Sequence, residues 1–378
     1  MREGWEYKRL GELCDIVMGQ SPMGNSINEN NGIEFHQGKT NFGDKFLMES
    51  GIYTTSPIRI AEKKTILLCV RAPVGIINIT ERQVCIGRGL SSLKPRLGLE
   101  LLYLYYCLLS KQNYFESNST GSTFKAISSK VINNTIIQIP PKSTQLSIVS
   151  ELDKLNELIQ IKKAQLKDYD ALAQSIFYEM FGDPVVNEKG WEVKTFGDCF
   201  SIGAGGTPST KVKEYWDNGT IPWIGSNMCQ NCIITETDGK FITEEGLNHS
   251  STKLLSPGTV LVALVGATIG KVGLLRIETC TNQNVAFIKV QEAETFTSEF
   301  VYYHLMGLYG EFMKIGQGNF KMANQGFIKL LPISCPPLSL QQSFAHKIEQ
   351  IERQKAEVQK TITDLETLLA ARMQYWFD

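Results

Sequence analysis

The chain is written twice. Gly4-Trp5-Glu6 recurs as Gly190-Trp191-Glu192, an offset of 186. At that offset Lys8 matches Lys194, Gly11 matches Gly197, Gly19 matches Gly205 and Pro22 matches Pro208. Val70-Arg71-Ala72-Pro73-Val74-Gly75 then aligns with Val265-Gly266-Ala267-Thr268-Ile269-Gly270 at offset 195, and Phe124-Lys125 with Phe320-Lys321 at offset 196. The last offset holds through Pro140-Pro141 and Pro336-Pro337, Gln145 and Gln341, Leu172 and Leu368, and Phe181 and Phe377. A repeat of this kind constrains the fold more than composition does, because both copies must build the same unit. Small insertions fall only in the variable middle of each copy.

Each copy reads as a mixed globular domain followed by one long helix. The globular part has short β-branched runs (Thr65 to Val70, Ile132 to Ile139, Thr259 to Val265) broken by Gly, Pro, Asn and Ser clusters, a strand-and-turn pattern. A helical stretch sits between them at Leu99 to Leu109, with its counterpart at Ser298 to Leu308. The proline pairs punctuate the domain before the long helix begins, since proline restricts the residue before it and cannot continue a helix from inside.

The long helices carry heptad seams. Ile148, Leu152, Leu155, Ile159, Lys162, Leu166, Tyr169, Ala173, Ile176 and Met180 step by alternating fours and threes. Phe344, Ile348, Ile351, Lys355, Val358, Ile362, Leu365 and Leu369 do the same. So narrow a stripe packs against another helix, with Lys162 and Lys355 snorkelling or setting register. At 1.5 Å per residue each helix is roughly 60 Å long. Gly182-Asp183-Pro184 ends the first as a glycine C-cap followed by proline. A homo-oligomerising coiled coil is the alternative use of such a seam, but two matched helices in one chain favour pairing with each other. If they pair antiparallel, the product has pseudo-two-fold symmetry and places Asp378 near Met1. The expected fold class is α+β: two similar mixed domains separated by two long antiparallel coiled-coil helices. The expected divisions are 1–142, 143–182, 183–338 and 339–378.

Composition narrows the function. The 378 residues are 42% hydrophobic and 20% charged, enough apolar content for sizeable cores. The longest apolar stretches, such as Thr259 to Gly270, are too short for a membrane span of ~20 residues, and the N-terminus has no signal-peptide apolar core. Nine scattered cysteines fit reduced thiols and a cytoplasmic location. Catalytic signatures are missing. Ile139-Pro140-Pro141-Lys142 and Cys335-Pro336-Pro337-Leu338 lack the polar and aromatic flanks of a methyltransferase motif. Gly270-Lys271 is followed by Val272 rather than Ser or Thr, and Pro208 stands where a dinucleotide fingerprint needs its third glycine. Cys229 and Cys232 have metal-knuckle spacing without a second Cys/His pair, so no metal site is expected. None of the four histidines sits in a triad setting, and His304, in an apolar helical stretch, reads as a packed residue. The net charge of −1 hides an asymmetry: residues 1–142 carry +5 and residues 183–338 carry −3. Any phosphate-facing surface is therefore broad in the first domain and local in the second.

The repeat, the heptads and several ordered strings together resemble the specificity (S) subunit of Type I restriction-modification enzymes. The first-half strings are Gly19-Gln20-Ser21-Pro22, Phe35-His36-Gln37-Gly38-Lys39, Val70 to Gly75, Ile86-Gly87-Arg88-Gly89-Leu90 and Gly121-Ser122-Thr123-Phe124-Lys125. The second-half strings are Gly205-Gly206-Thr207-Pro208-Ser209, Ile221-Pro222-Trp223-Ile224, Gly266 to Lys271 and Thr281-Asn282-Gln283-Asn284. The resemblance covers essentially the whole chain. It implies two target-recognition domains, each reading one half of a bipartite, asymmetric site in double-stranded DNA. The helices are then a spacer and a docking surface for two methyltransferase (modification) subunits, joined by restriction subunits in the full complex. The chain itself is then non-catalytic and binds no cofactor; S-adenosylmethionine and ATP belong to the partners. One departure bears on which side chain a loop presents to DNA: Ile224-Gly225-Ser226-Asn227-Met228 lacks the Asp often seen after the Trp.

On that reading, base edges are met by Lys and Arg at guanine and by Asn and Gln at adenine, while hydroxyls and backbone amides hold phosphates. The DNA-binding candidates of the first domain are Ser21, Gln37, Lys39, Arg71, Arg88, Ser122, Thr123 and Lys125. Those of the second are Thr207, Ser209, Ser226, Asn227, Lys271, Asn282, Gln283, Asn284 and Lys321. Each has a plainer reading: the Gly19–Pro22 and Gly205–Pro208 strings as bracing turns, and Asn282 to Asn284 as partners for buried backbone. Phe35, Trp223, Phe124 and Phe320 read as core anchors rather than stacking platforms. Major grooves on one face of B-DNA recur about every 34–36 Å, a span that helices of this length exceed. Two further functions compete: a combined restriction-modification enzyme, and a coiled-coil scaffold that binds only proteins without sequence-specific DNA binding.

Overall fold

A computed structural model describes residues 4–121, 125–290, 295–315 and 322–378. Two long helices, Lys142–Phe181 and Leu338–Phe377, are each continuous over 40 residues. The chain divides into two compact units, one of residues 1–163 with 360–378 and the other of residues 164–359. The division runs through both helices rather than at their ends, because each helix buries part of its length in a globular core.

In the first unit, strands Cys14–Met18, Leu90–Pro95, Thr65–Cys69 and Ile77–Thr80 form an antiparallel sheet in that order. Thr65–Cys69 is buried along its whole length, as a continuous apolar run on a covered strand requires. A second, five-stranded sheet runs Ile27–Asn28, Tyr53–Thr54, Ile33–His36, Val84–Ile86 and Ile60–Ala61, and only the pair Ile33–His36 with Val84–Ile86 is parallel. Glu6–Arg9 pairs with Ile136–Ile139 beside the start of the long helix.

The second unit repeats this plan. Strands Ser201–Ala204, Val285–Lys289, Val260–Ala263 and Val272–Leu275 follow the order of the first sheet, and Cys232–Ile234 adds a parallel edge strand. Ile221–Ile224 pairs in parallel with Thr279–Thr281. Val193–Thr195 pairs with Pro332–Ser334. Helices Leu101–Ser110 and Ser298–Gly307 cover the sheets at matching places. Two sequence expectations need adjustment. Ile132 to Asn134 lies in a short helix, Ser129–Asn134, capped by the Ser128 hydroxyl, and the strand begins only at Ile136. Val70 corresponds to Leu264 rather than Val265, since the backbones of Ile127 and Ala323 donate to these two carbonyls. The extra residue sits in the loop that ends at Gly270.

Within each unit the two helix segments run antiparallel. Arg372 pairs with Glu151 and Lys163 with Glu366 in the first unit, and Lys355 pairs with Asp170 in the second. Much of the burial goes to the globular cores. Ile148, Val149, Leu152 and Phe377 join Tyr103, Leu104 and the first sheet. Ala173, Phe177, Phe181, Phe344 and Ile348 join Phe300, Leu305 and the second sheet. Phe177 and Phe181 lie beside the expected seam positions Ile176 and Met180, because the last turns of this helix face the domain core. Gly182 takes φ +81° and donates to Tyr178, the left-handed stop expected of a C-cap glycine. Met1 lies outside the described residues; Trp5 stacks on Trp376 at 6.4 Å within the first unit.

Candidate nucleic-acid interface

Five segments of the first unit converge at one sheet end through backbone hydrogen bonds. Gly19 donates to Leu90 and Gln20 to Ile86, each at 2.9 Å. Gly87 donates to His36 at 2.8 Å, Val70 to Gly89 at 2.9 Å and Ala72 to Lys125 at 3.0 Å. Gly19 is required by this lacing, since a Cβ there would lie 2.1 Å from the Gly87 carbonyl oxygen. The convergence gathers Ser21, Gln37, Lys39, Arg71, Arg88 and Lys125. All but Ser21 are exposed. Among the described residues, no hydrogen bond or ion pair engages the Lys39, Arg71, Arg88 or Lys125 side chains, so four cations stand free at this tip. Ser122 and Thr123 lie outside the described residues, as does Phe124.

The cluster bracing this tip was not legible in the sequence. Glu34 and His36 sit two apart on one strand and are both buried, with His36 Nε2 2.9 Å from Glu34 Oε1. Arg82 donates twice to Glu34, at 2.6 and 2.9 Å, and also to the carbonyls of Leu47 and Met48. Burial pushes the Glu34 carboxyl up, but the Arg82 guanidinium, the Ser50 N–H and His36 outweigh it and hold the group at about 2. This strand delivers Gln37 and Lys39. Period-two alternation places Glu34 and His36 on one face, but nothing local points to Arg82, 48 residues away from Glu34.

The second unit builds the same lacing with different side chains. Gly205 donates to Val285 at 3.1 Å, Gly206 to Thr281 at 2.8 Å, Asn282 to Ile224 at 3.2 Å and Leu264 to Asn284 at 2.8 Å. Thr207, Asn282, Gln283 and Asn284 come together here. The Thr207 hydroxyl donates to Gln283 Oε1 at 2.5 Å, and Asn282 Oδ1 accepts from the Asn284 N–H at 3.0 Å. Asn282 thus partly serves its own turn, while Gln283 is exposed. Ser226 and Asn227 follow Ile224 in a short 3-10 turn. Lys271 reaches the same region, donating to Gln230 at 2.7 Å, while Gln230 donates to the Asn227 carbonyl at 3.1 Å. Gln230 is a participant the sequence did not single out. Ser209 lies at the margin, its carbonyl accepting from the Trp216 indole at 3.2 Å. Lys321 and Phe320 lie outside the described residues.

Phe35 and Trp223 are core anchors, 5% and 7% exposed. Cys229 is buried among Ile224, Ile234 and Leu261, and burial pushes its thiol well up, while Cys232 donates to the Met228 carbonyl. Among the described residues no helix is long and apolar enough to cross a membrane.

A duplicated scaffold that holds a polar tip on each copy, with long helices attached, defines the class. The chain belongs to the family of the Type I restriction modification DNA specificity domain, which matches residues 2–168 and 188–367. The putative type I restriction enzyme MjaX specificity subunit of Methanocaldococcus jannaschii is 34% identical over 178 residues, 46% of this chain and 42% of that relative. The type I restriction enzyme MjaIX specificity subunit of the same organism is 26% identical over 300 residues, 70% of this chain and 67% of the relative. The match thus spans less than half the length of the first relative and about two thirds of the second. In fold, a chain solved in work on complex assembly and conformational transition of the type I R-M system aligns with a TM-score of 0.65 at 18% identity, covering 100% of this chain and 98% of that one.

Proposed function

We propose that this chain is the DNA sequence-recognition subunit of a Type I restriction-modification complex. Each unit reads one half of a bipartite, asymmetric site in double-stranded DNA through its polar tip. The long helices set the gap between the half-sites and dock two methyltransferase subunits; restriction subunits join in the full complex. Methylation and cleavage are carried out by those partners, which also bind S-adenosylmethionine and ATP. The single observation that carries the reading is the tip itself: one backbone lacing is built twice, yet among the described residues it presents free cations in the first unit and, in the second, amides, hydroxyls and a Lys271 already bonded to Gln230. Identical scaffolds with exchanged side chains are what two readers of different sequences need. Four cations unpaired among the described residues at a Gly-rich tip suit a phosphate backbone, which favours this reading over a scaffold that binds only proteins.

The near-neutral charge makes the chain alone a weak DNA binder, because phosphate neutralisation supplies most affinity. The test is therefore a gel shift with the chain assembled with its modification subunits. Retention of a bipartite duplex, lost when either half is scrambled, is the expected outcome. Equal retention of every duplex would refute the reading.

A further inference from the structure

We propose that Arg88 and Gln283 are equivalent specificity-determining side chains, Arg88 reading a guanine in one half-site and Gln283 an adenine in the other. The proposal rests on the DNA-reading function above and names what each tip reads.

The equivalence is structural. Both residues lie at the centre of a turn closed by the same bond, Leu90 N–H to the Gly87 carbonyl at 3.0 Å and Val285 N–H to the Asn282 carbonyl at 3.2 Å. Both turns receive the same flanking backbone bonds, from Gln20 to Ile86 and from Gly206 to Thr281. Both side chains are exposed. At one place in a duplicated scaffold the chain has therefore exchanged a guanidinium for a carboxamide. A guanidinium has donors only, and its fork matches the two acceptors O6 and N7 on the major-groove edge of guanine. A carboxamide has one acceptor and one donor group, which match the N6 amino group and N7 of adenine.

A second pair of residues follows the same exchange. Thr207 and Ser21 stand at matching positions after the laced glycines. The Thr207 hydroxyl donates to Gln283 Oε1 at 2.5 Å, which fixes which way the amide faces. The amide oxygen keeps one lone pair, and the Nε2 group remains to donate. Ser21 Oγ is buried and has no hydrogen-bond partner among the described residues. Arg88, having no acceptor, offers nothing to take the Ser21 proton. No guanidinium replaces it in the second unit: Arg276 is held by Glu299 and Glu352 at 2.8 and 2.9 Å, and Arg353 by Glu349 at 2.6 Å. These are the two arginines of residues 164–359.

The experiment selects bound duplexes from a library randomised in both half-sites, using the complex with its modification subunits, and sequences them. Binding is read so that methylation imposes no base of its own. Arg88→Gln should move one position of one half-site from guanine to adenine, by about fivefold to a hundredfold in preference. Gln283→Arg should move one position of the other half-site from adenine to guanine. In each case the untouched half reports that the variant is folded and assembled. Arg88→Lys should keep guanine. Thr207→Val should broaden the Gln283 position, and Thr207→Ser should restore it, which a merely structural role for Thr207 would not produce. Exchanges that leave base preference where it was, or move both halves, overturn the assignment while the two-reader function stands. A wild-type complex that selects no bipartite sequence overturns both.

Discussion

His304 shows how a residue in an apolar helix couples the second unit to pH. It is 1% exposed, packed between Phe196 and Phe300, and its Nε2 lies 3.1 Å from the Pro332 carbonyl. Burial pushes its pKa down to about 4, with the Pro332 carbonyl opposing. The folded state thus holds the ring neutral, whereas the unfolded chain takes up a proton near pH 6.5. The stability from this group is complete above about pH 6.5 and is lost as pH falls toward 4, with about 2 kcal/mol gone by pH 5. Denaturant unfolding of wild type and His304→Gln at pH 7 and pH 5 should show the variant losing about that much less; equal losses would refute it. The neighbouring chemistry was only partly legible. That His304 is packed follows from its place in an apolar helix. Gln145 and Gln341 were visible as a matched pair, and each accepts one backbone N–H and donates to two carbonyls, joining the start of a long helix to the loop before the shorter one. The Arg82–Glu34 pair was invisible, because an ion pair between distant positions, even with one partner buried, leaves no local pattern.

At the scale of elements, the long helices were the most legible part of the chain. A heptad seam has a single physical meaning over this length, and both helices run from just after a proline pair to a final phenylalanine. Less legible was how the seam is shared. Half-exposed ion pairs such as Lys163–Glu366 contribute about 0–1 kcal/mol each. Cohesion therefore comes from apolar side chains that sink into the domain cores, Phe177 and Phe181 in one unit and Phe377 in the other. Those residues anchor the helix ends, leaving the middle turns to act as spacer in the proposed function. One heptad inserted after Lys163 and one after Gln359 would preserve the seam and add about 10.5 Å of helix. At about 3.4 Å per base pair, the gap between half-sites should lengthen by at most about three base pairs with both half-sites unchanged. Mapping methylated sites in cells carrying the variant checks this, and an unaltered gap would count against a spacer role.

For the molecule as a whole, duplication was evident from the first matched glycines, and it foretold two sheets of the same strand order. What the sequence left open was how the two tips differ, because the loops that differ most between copies carry the exposed side chains. The structure places those loops on a common lacing, so divergence at the laced turns changes chemistry while the lacing bonds are kept, even though the loop that ends at Gly270 is one residue longer than its counterpart. The charge of +5 on residues 1–142 against −3 on residues 183–338 runs the same way as the described residues of the tips, with free cations at one and amides at the other. A molecule organised this way should be modular. Replacing residues 188–337 with the corresponding stretch of a relative retains the first tip, its braces Glu34 and Arg82, and the buried helix residues Ile148, Leu152 and Phe377. On the proposed function, the half-site read by the first unit should therefore survive, while the other half changes to that of the donor. Genome-wide methylation mapping of cells expressing the hybrid with its modification subunits reads both halves at once. A hybrid that altered both halves, or neither, would mean that the two tips are energetically one reader, and the independence built into the duplicated scaffold would be wrong.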